Sequence, residues 1–413
     1  MRRLLASNMS TETPTPALPL PRTTLFLMAA CAATSVANVY YAQPLLDAVG
    51  GEFGISTAAV GGVISATQLG CALALAFVVP LGDLMNRKLL LCLELALLAL
   101  VLLAVSISPT PLAMLAGMVG LGLLGTAATQ GTIAYAATLS SPATRGSTVG
   151  AIQSGVLVGV LGARSLAGFV ADLAGWRAVF VVSAVIAAGM LALMMKMLPA
   201  LAVAPARLGY PALLMSMVRL LATERVLQVR GMLGLLIFAA LGAFWSAVAL
   251  PLREPPYQLP YTAIGMFGLV GIAGALTASR AGRWADKGHG QRTSMYALLC
   301  MMAAWAPLAM LPQSLWILGA GIVLLDMGGQ AVHVTNQTMI FKTRPEMHSR
   351  LVGCYMLFYA AGLGLGAITA TTVFARVGWS GVCWLGFGIS AAALAFWRLT
   401  LRAATVPAAP NTA

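Results

Sequence analysis

Twice along this chain a hydrophobic run of helix length ends in a carboxylate, a short small or polar turn, and a basic residue. The first instance is Asp83-Leu84-Met85-Asn86-Arg87-Lys88 and the second is Asp286-Lys287-Gly288-His289-Gly290-Gln291-Arg292. The two aspartates stand 203 positions apart. The same separation relates Pro142 to Pro345, Val149-Gly150 to Val352-Gly353 and Gly175-Trp176 to Gly378-Trp379. A chain that writes one half twice must fold as two like units. With hydrophobic spans throughout, the economical reading is a membrane protein of the transporter type, built from two parallel repeats.

Composition supports lipid as the solvent. Of 413 residues, 60% are hydrophobic and 8% charged, where soluble chains carry about 25% charged. Apolar runs of roughly 20 residues, each long enough for ~30 Å of hydrocarbon, occur twelve times. Spans 1–6 are placed at 24–46, 57–80, 89–108, 111–137, 148–172 and 178–198. Spans 7–12 are placed at 230–251, 262–281, 293–311, 314–340, 351–375 and 380–400. Twenty of the 24 Lys and Arg residues fall on one side of this scheme. Arg177, Arg253 and Arg376 fall on the other side, and Arg164 lies within span 5. By the positive-inside rule both termini are expected in the cytoplasm. The net charge of +13 is then a topology signal, and no nucleic acid is needed to explain it.

The expected organisation is a loose cytoplasmic tail at 1–22, a six-helix bundle at 23–198, a basic linker at 199–229, a second bundle at 230–402 and a tail at 403–413. Met9 is an alternative start to Met1. Residues 210–230 can form an amphipathic helix on the cytoplasmic face. The six cysteines all fall in spans without a CxxC pair and read as small apolar residues. No nucleotide loop, metal-ligand motif or nucleophile elbow is present. Neither a cofactor nor an enzymatic activity is expected.

The doubled Asp…Arg/Lys loops, the twelve spans and the 6+6 repeat resemble the major facilitator superfamily. Leu81, Asp83, Arg87 and Lys88 match that family's G-x-L-x-D-R-x-G-R-[RK] loop, while Val79, Leu84 and Asn86 depart from it. The resemblance extends to the drug or metabolite:proton antiporter branch through Asn-Val-Tyr-Tyr-Ala-Gln-Pro-Leu-Leu at 38–46, residues 324–330 and Val334-Thr335-Asn336-Gln337. Span 5 carries Gly155, Gly159, Gly162 and Gly168, with Ala163-Arg164 where Gly-Pro is usual in that branch. The span-4 motif R-x-x-Q-G survives as Gln130-Gly131, with Ala127 at the arginine position. The resemblance implies an all-α membrane fold of two six-helix bundles related by a pseudo-two-fold axis. It also implies that Asp83, Arg87 and Lys88, with Asp286, Lys287 and Arg292, latch the cytoplasmic side. The alternative for the basic members of these loops is topogenic charge alone.

Intramembrane polar residues carry the mechanistic reading. An ionisable side chain in hydrocarbon costs ~2.5–3.5 kcal/mol on insertion scales, so it should face a cavity or a partner. On span 10, Asp326, Gln330, His333 and Gln337 fall within a sector of about 60° at about 100° per residue. They line a cavity or form a polar seam between helices. Arg164, sharing a helical face with Gln153, binds an anionic group, partners a carboxylate such as Asp326, or reaches the interface. Asn38, Tyr41, Gln43, Gln68 and Gln130 lie on spans that line the cavity in the resembled family, and each could equally join two helices. Glu94, near the start of span 3, is expected to reach the interface or pair with Arg87 or Lys88. The reading is a monomeric secondary carrier of the bacterial inner membrane that exports a small organic molecule in exchange for protons. Proton-driven uptake is the alternative, and a sensor or channel is the contrasting class.

Overall fold

A computed structural model of the chain describes residues 21–141, 144–199, 209–344 and 347–401. Every regular element among them is helical. Among the described residues, eight helices are long and apolar enough to cross a bilayer. In order they are Gly62–Asp83 (span 2), Arg87–Ser106 (span 3), Pro111–Leu139 (span 4), Arg145–Ala174 (span 5), Trp176–Met197 (span 6), Arg225–Arg253 (span 7), Leu315–Phe341 (span 10) and Arg350–Leu399. The last turns on Gly378, at φ 73°, and supplies spans 11 and 12. Span 1 is Arg22–Ala37, continued through an irregular stretch to a short helix Leu46–Phe53. Span 8 is Tyr261–Val270 and Ile272–Trp284, interrupted at Gly271, and span 9 is Gly290–Ala309. Twelve spans result.

Local chemistry sets the helix starts. Asn86 is extended, and its side chain accepts from the Lys88 and Leu89 amides at 3.0 and 3.1 Å, capping span 3. Thr110 caps span 4 with Pro111 at the first helical position, and Ser314 caps span 10. Each cap satisfies an amide that the helix leaves unpaired.

Each half has its own apolar core, one centred on spans 1 to 6 and the other on spans 7 to 12. The halves meet along two seams, span 2 against span 11 and span 5 against span 8. Lipid tails are as apolar as leucine, so such seams depend on close backbone approach. At the second seam, a Cβ added to Gly168 would lie 2.2 Å from the Tyr261 carbonyl oxygen, and one on Gly265 would lie 2.3 Å from that of Arg164. The helix Tyr210–Thr223 lies between the halves in sequence. Its buried Leu213, Met217 and Leu220 face inward, while Met215 and Val218 are exposed.

The loops after spans 2 and 8 lie on one face of the bundle, here called the basic face. The tail residues 1–20 and 402–413, linker residues 200–208, Pro142 and Pro345 lie outside the described residues.

Candidate functional site

Where the two halves meet, a cavity with about 520 Å³ of atom-free space is lined by residues of both. Arg164 of span 5 is 6% exposed, and its Nε donates to Gln43 Oε1 at 2.7 Å. Its guanidinium stacks on Trp245 of span 7, 3.9 Å from the ring centroid, and lies 5.3 Å from that of Tyr40. The same indole turns its N–H toward Asp326 Oδ1, at 3.3 Å. One tryptophan thus offers its π face to the cation and its donor edge to the carboxylate. Five ion pairs form among the described residues, and none joins Arg164 to Asp326. Cation–π contact supplies ~0.5–2 kcal/mol, less than a buried charge needs.

Gly271, at the break in span 8, makes room for this arrangement. A Cβ there would sit 2.9 Å from Asp326 Oδ2 and 2.9 Å from Leu161 Cδ2. Tyr40 and Tyr359 join their hydroxyls across the halves, and Phe238 packs on Tyr359 with centroids 4.1 Å apart.

The span-10 stripe divides by depth. Asp326 and Gln330 line the cavity. His333, one turn nearer the basic face, meets the Tyr355 hydroxyl through Nδ1 at 3.0 Å and packs edge-on to Phe238. Gln337 lies a further turn away, half-buried and outside the lining. The other sequence candidates are placed elsewhere. Asn38 is held within the first half, donating to Thr34 O at 2.8 Å and accepting from Ser183 Oγ at 2.7 Å. Tyr41 is buried in that half's core. Gln153 is exposed. Gln68 is buried beside Gly364 of span 11, and neither end of its amide has a partner. Gln130 lines a different cavity near the basic face.

The two loops are each tied within their own half. Asp83 pairs with Arg87 at 2.9 Å, and Arg87 also donates to the Ala134 carbonyl and Thr138. Lys88 donates to the Met195 and Leu198 carbonyls. Asp286 pairs with Lys342 at 3.9 Å, while Lys287 and Arg292 are exposed. On the opposite face the halves are fastened to each other. Arg253 Nε meets Asp47 at 2.9 Å, Tyr261 donates to the same carboxylate, and Asp172 accepts from the Tyr261 and Thr262 amides that open span 8. These bonds fit a helix start, where backbone donors are free and an anion is favoured.

Two expectations are corrected. Glu94 neither reaches the interface nor pairs with Arg87 or Lys88. It is 3% exposed with Oε2 unpartnered, because both bases are already engaged. Arg230, counted from sequence among the loop charges, is 1% exposed and sits inside the second half. It donates to Ser294, Gln291 and Asn336, so three neutral acceptors take the place of a counter-ion. The sequence marks Trp245, Tyr355 and Tyr359 as able to contact an amphipathic ligand, although aromatic residues in spans are more often packing, and it marks Tyr40 only as part of the 38–46 motif. Only the meeting of distant spans distinguishes them.

Known proteins place this geometry in context. The profile of the Major Facilitator Superfamily matches residues 25–295 and 232–413. The chain is 38% identical over 380 residues to the uncharacterized transporter YgaY of Escherichia coli O157:H7, covering 90% of this chain and 94% of that protein. It is 32% identical over 383 residues to the probable transporter SCO4007 of Streptomyces coelicolor, covering 89% and 86%. In fold it is similar to a bacterial homologue of the human lysosomal transporter Spinster, solved in an inward-facing occupied conformation. That likeness has a TM-score of 0.74 at 15% identity and covers 94% of this chain and 99% of that one. The nucleoside transporter NupG is similar at a TM-score of 0.72 and 14% identity, covering 92% and 99%.

Proposed function

This chain belongs to the major facilitator superfamily and is a multi-pass membrane transporter rather than an enzyme, and from that premise we propose that it exports a small organic molecule in exchange for protons. The observation that carries the reading is the shared cavity. Arg164 from one half and Asp326 from the other approach the same indole without pairing directly. Burial favours a neutral carboxyl, and an adjacent guanidinium favours a charged one. Any motion of the halves that changes their separation therefore changes the proton's hold on Asp326, and occupancy of the cavity by substrate does the same. That linkage is what exchange requires.

The basic face is assigned to the cytoplasm, with both termini there and the chain in the bacterial inner membrane. The charge asymmetry supports this. The Asp47–Arg253 and Asp172 contacts then act as the periplasmic closure, and the cavity awaits substrate from inside. The Asp83 and Asp286 loops engage when the carrier turns outward. Proton-driven uptake would use the same groups with the substrate moving the other way.

The test is transport in proteoliposomes against a compound panel, with and without a pH gradient. Asp326→Asn is expected to abolish the response to the gradient while retaining substrate counterflow. His333→Gln is the control, and gradient-driven transport kept in the first variant but lost in the second would move the coupling role to the histidine. Reporter fusions at 141, 205 and 345 should read cytoplasmic and those at 52, 255 and 377 periplasmic. A periplasmic reading at 205 overturns the assignment of faces.

A further inference from the structure

A second cavity lies near the basic face, between spans 2, 3 and 4, the helix Tyr210–Thr223 and the start of span 11, with about 960 Å³ of atom-free space. It shares no lining residue with the central cavity. Its wall is largely apolar, with Leu75, Leu90, Leu91 and Met217 contributing, and Ala127 is small enough to leave depth. Glu94 lines this space. Its Oε2 is shielded from solvent and has no hydrogen-bond partner. Gly131 on span 4 accommodates it, since a Cβ there would lie 3.1 Å from that oxygen.

Neither base of the preceding loop is available to Glu94, since Lys88 is held by the Met195 and Leu198 carbonyls. Arg87 is committed to Asp83, the Gly82 and Ala134 carbonyls and Thr138. A carboxylate buried without a partner costs several kcal/mol, and a cation that brings its own N–H donors removes both the charge and the hydrogen-bond deficit. Leu75, Leu90, Leu91 and Met217 suit an apolar body, while Gln130 and the mutually paired Asp83 and Arg87 also line the space. Arg350, on the span-11 side, disfavours a ligand with a second positive charge.

We propose that this cavity is a second binding site, for a small amphipathic amine whose ammonium meets Glu94 and whose apolar part lies along Leu90, Leu91 and Met217. The site does not depend on a coupling role for Asp326. Because Met217 belongs to the linker helix and Arg350 to span 11, a bound amine bridges both halves on the basic face.

Calorimetric titration of the purified full-length protein tests this at pH 7, with 2-phenylethylamine and its uncharged analogue 2-phenylethanol as probes. The amine should bind at least ten-fold more tightly than the alcohol. Glu94→Gln should abolish that preference, and Asp326→Asn should leave it unchanged. No amine binding, equal binding of the two probes, or a preference that survives in Glu94→Gln overturns the proposal, as does a preference lost in Asp326→Asn. Should Glu94→Gln not fold, Ala137→Cys decides, because Ala137 lines the same cavity. Maleimide labelling at that position should be slowed by the amine and not by the alcohol. Equal protection by both, or by neither, overturns the site.

Discussion

The two halves of the molecule agree in their turns and differ in their charges. Gly175-Trp176 and Gly378-Trp379 stand 203 positions apart and do the same work. Both glycines take positive φ, 81° and 73°, and reverse the chain between paired spans. Both indoles then donate into their own half, Trp176 to Glu52 and Trp379 to the Leu308 carbonyl at 2.9 Å. The buried charged residues have no such counterparts. The positions 203 away from Glu94, Arg164, Arg230 and Asp326 hold Ala297, Ala367, Leu27 and Leu123. Repetition serves the scaffold, whose geometry both halves need. The ionisable groups were placed singly, so each half brings a different charge to the centre. A symmetric pair of like charges would repel across the cavity, whereas Arg164 and Asp326 are complementary.

The strongest challenge to this contrast is Arg230→Ala. It leaves the acceptors on Ser294 and Asn336 without a donor, at about 1–3 kcal/mol for each group that water cannot reach, while Gln291 Oε1 keeps the Trp397 indole N–H at 2.9 Å. A loss of thermal stability of about 3 kcal/mol or more is expected by denaturation in detergent. A loss below about 1 kcal/mol would show that this cluster is not structural and would leave the arginine free for another role.

The symmetric turns supply the next test. Gly175→Ala and Gly378→Ala each force a side chain into a backbone region open to glycine, costing about 1–3 kcal/mol. The two losses should agree to within about 1 kcal/mol, measured in the same detergent. Unequal losses would break the equivalence of the halves at the place where it is clearest.

Asp83→Asn and Asp286→Asn should change stability little, within about 1 kcal/mol, because their ion pairs are exposed. Transport should nonetheless fall in both. Wild-type rates in both variants would reduce the loops to topological markers.

The smallest effect is a pH dependence confined to the first half. Arg177 donates twice to Glu52 and holds its carboxyl below the usual glutamate range, with Trp176 adding a further bond. A lowered acid of this kind stabilises the fold above the unfolded glutamate pKa of about 4.3 and loses that contribution as pH falls through the folded value. The second half has Ser380 at the position matching Arg177. Melting temperatures of wild type and Glu52→Gln should therefore differ at neutral pH and converge below about pH 4. A constant difference across the range would show that the carboxylate's charge is not involved.

Much of this was readable from residues alone. Hydrophobic length placed the spans, because a bilayer imposes one dimension on every crossing element. The 203-residue repeat pointed to two like bundles. Helical period put Asp326 and Gln330 on one stripe, since that relation depends only on residues within a single helix. The same period could not say how far the stripe extends into a cavity, and Gln337 lies beyond it. Asn38 and Tyr41 show the limit from the other side, for a polar group in a span looks the same in sequence whether it faces a cavity or a neighbouring helix.

What the sequence by itself determined is therefore the class of solvent, the number of crossings, the twofold plan and the polar face of span 10. These follow from local spacing and from the cost of exposing backbone and charge to lipid. Only the tertiary structure decided that Trp245 would stand between Arg164 and Asp326, that Arg230 would be buried among neutral acceptors, and that Glu94 would be left without a base. Each of those outcomes depends on which distant helices come within a few ångströms, and on which donors have already been taken by nearer acceptors.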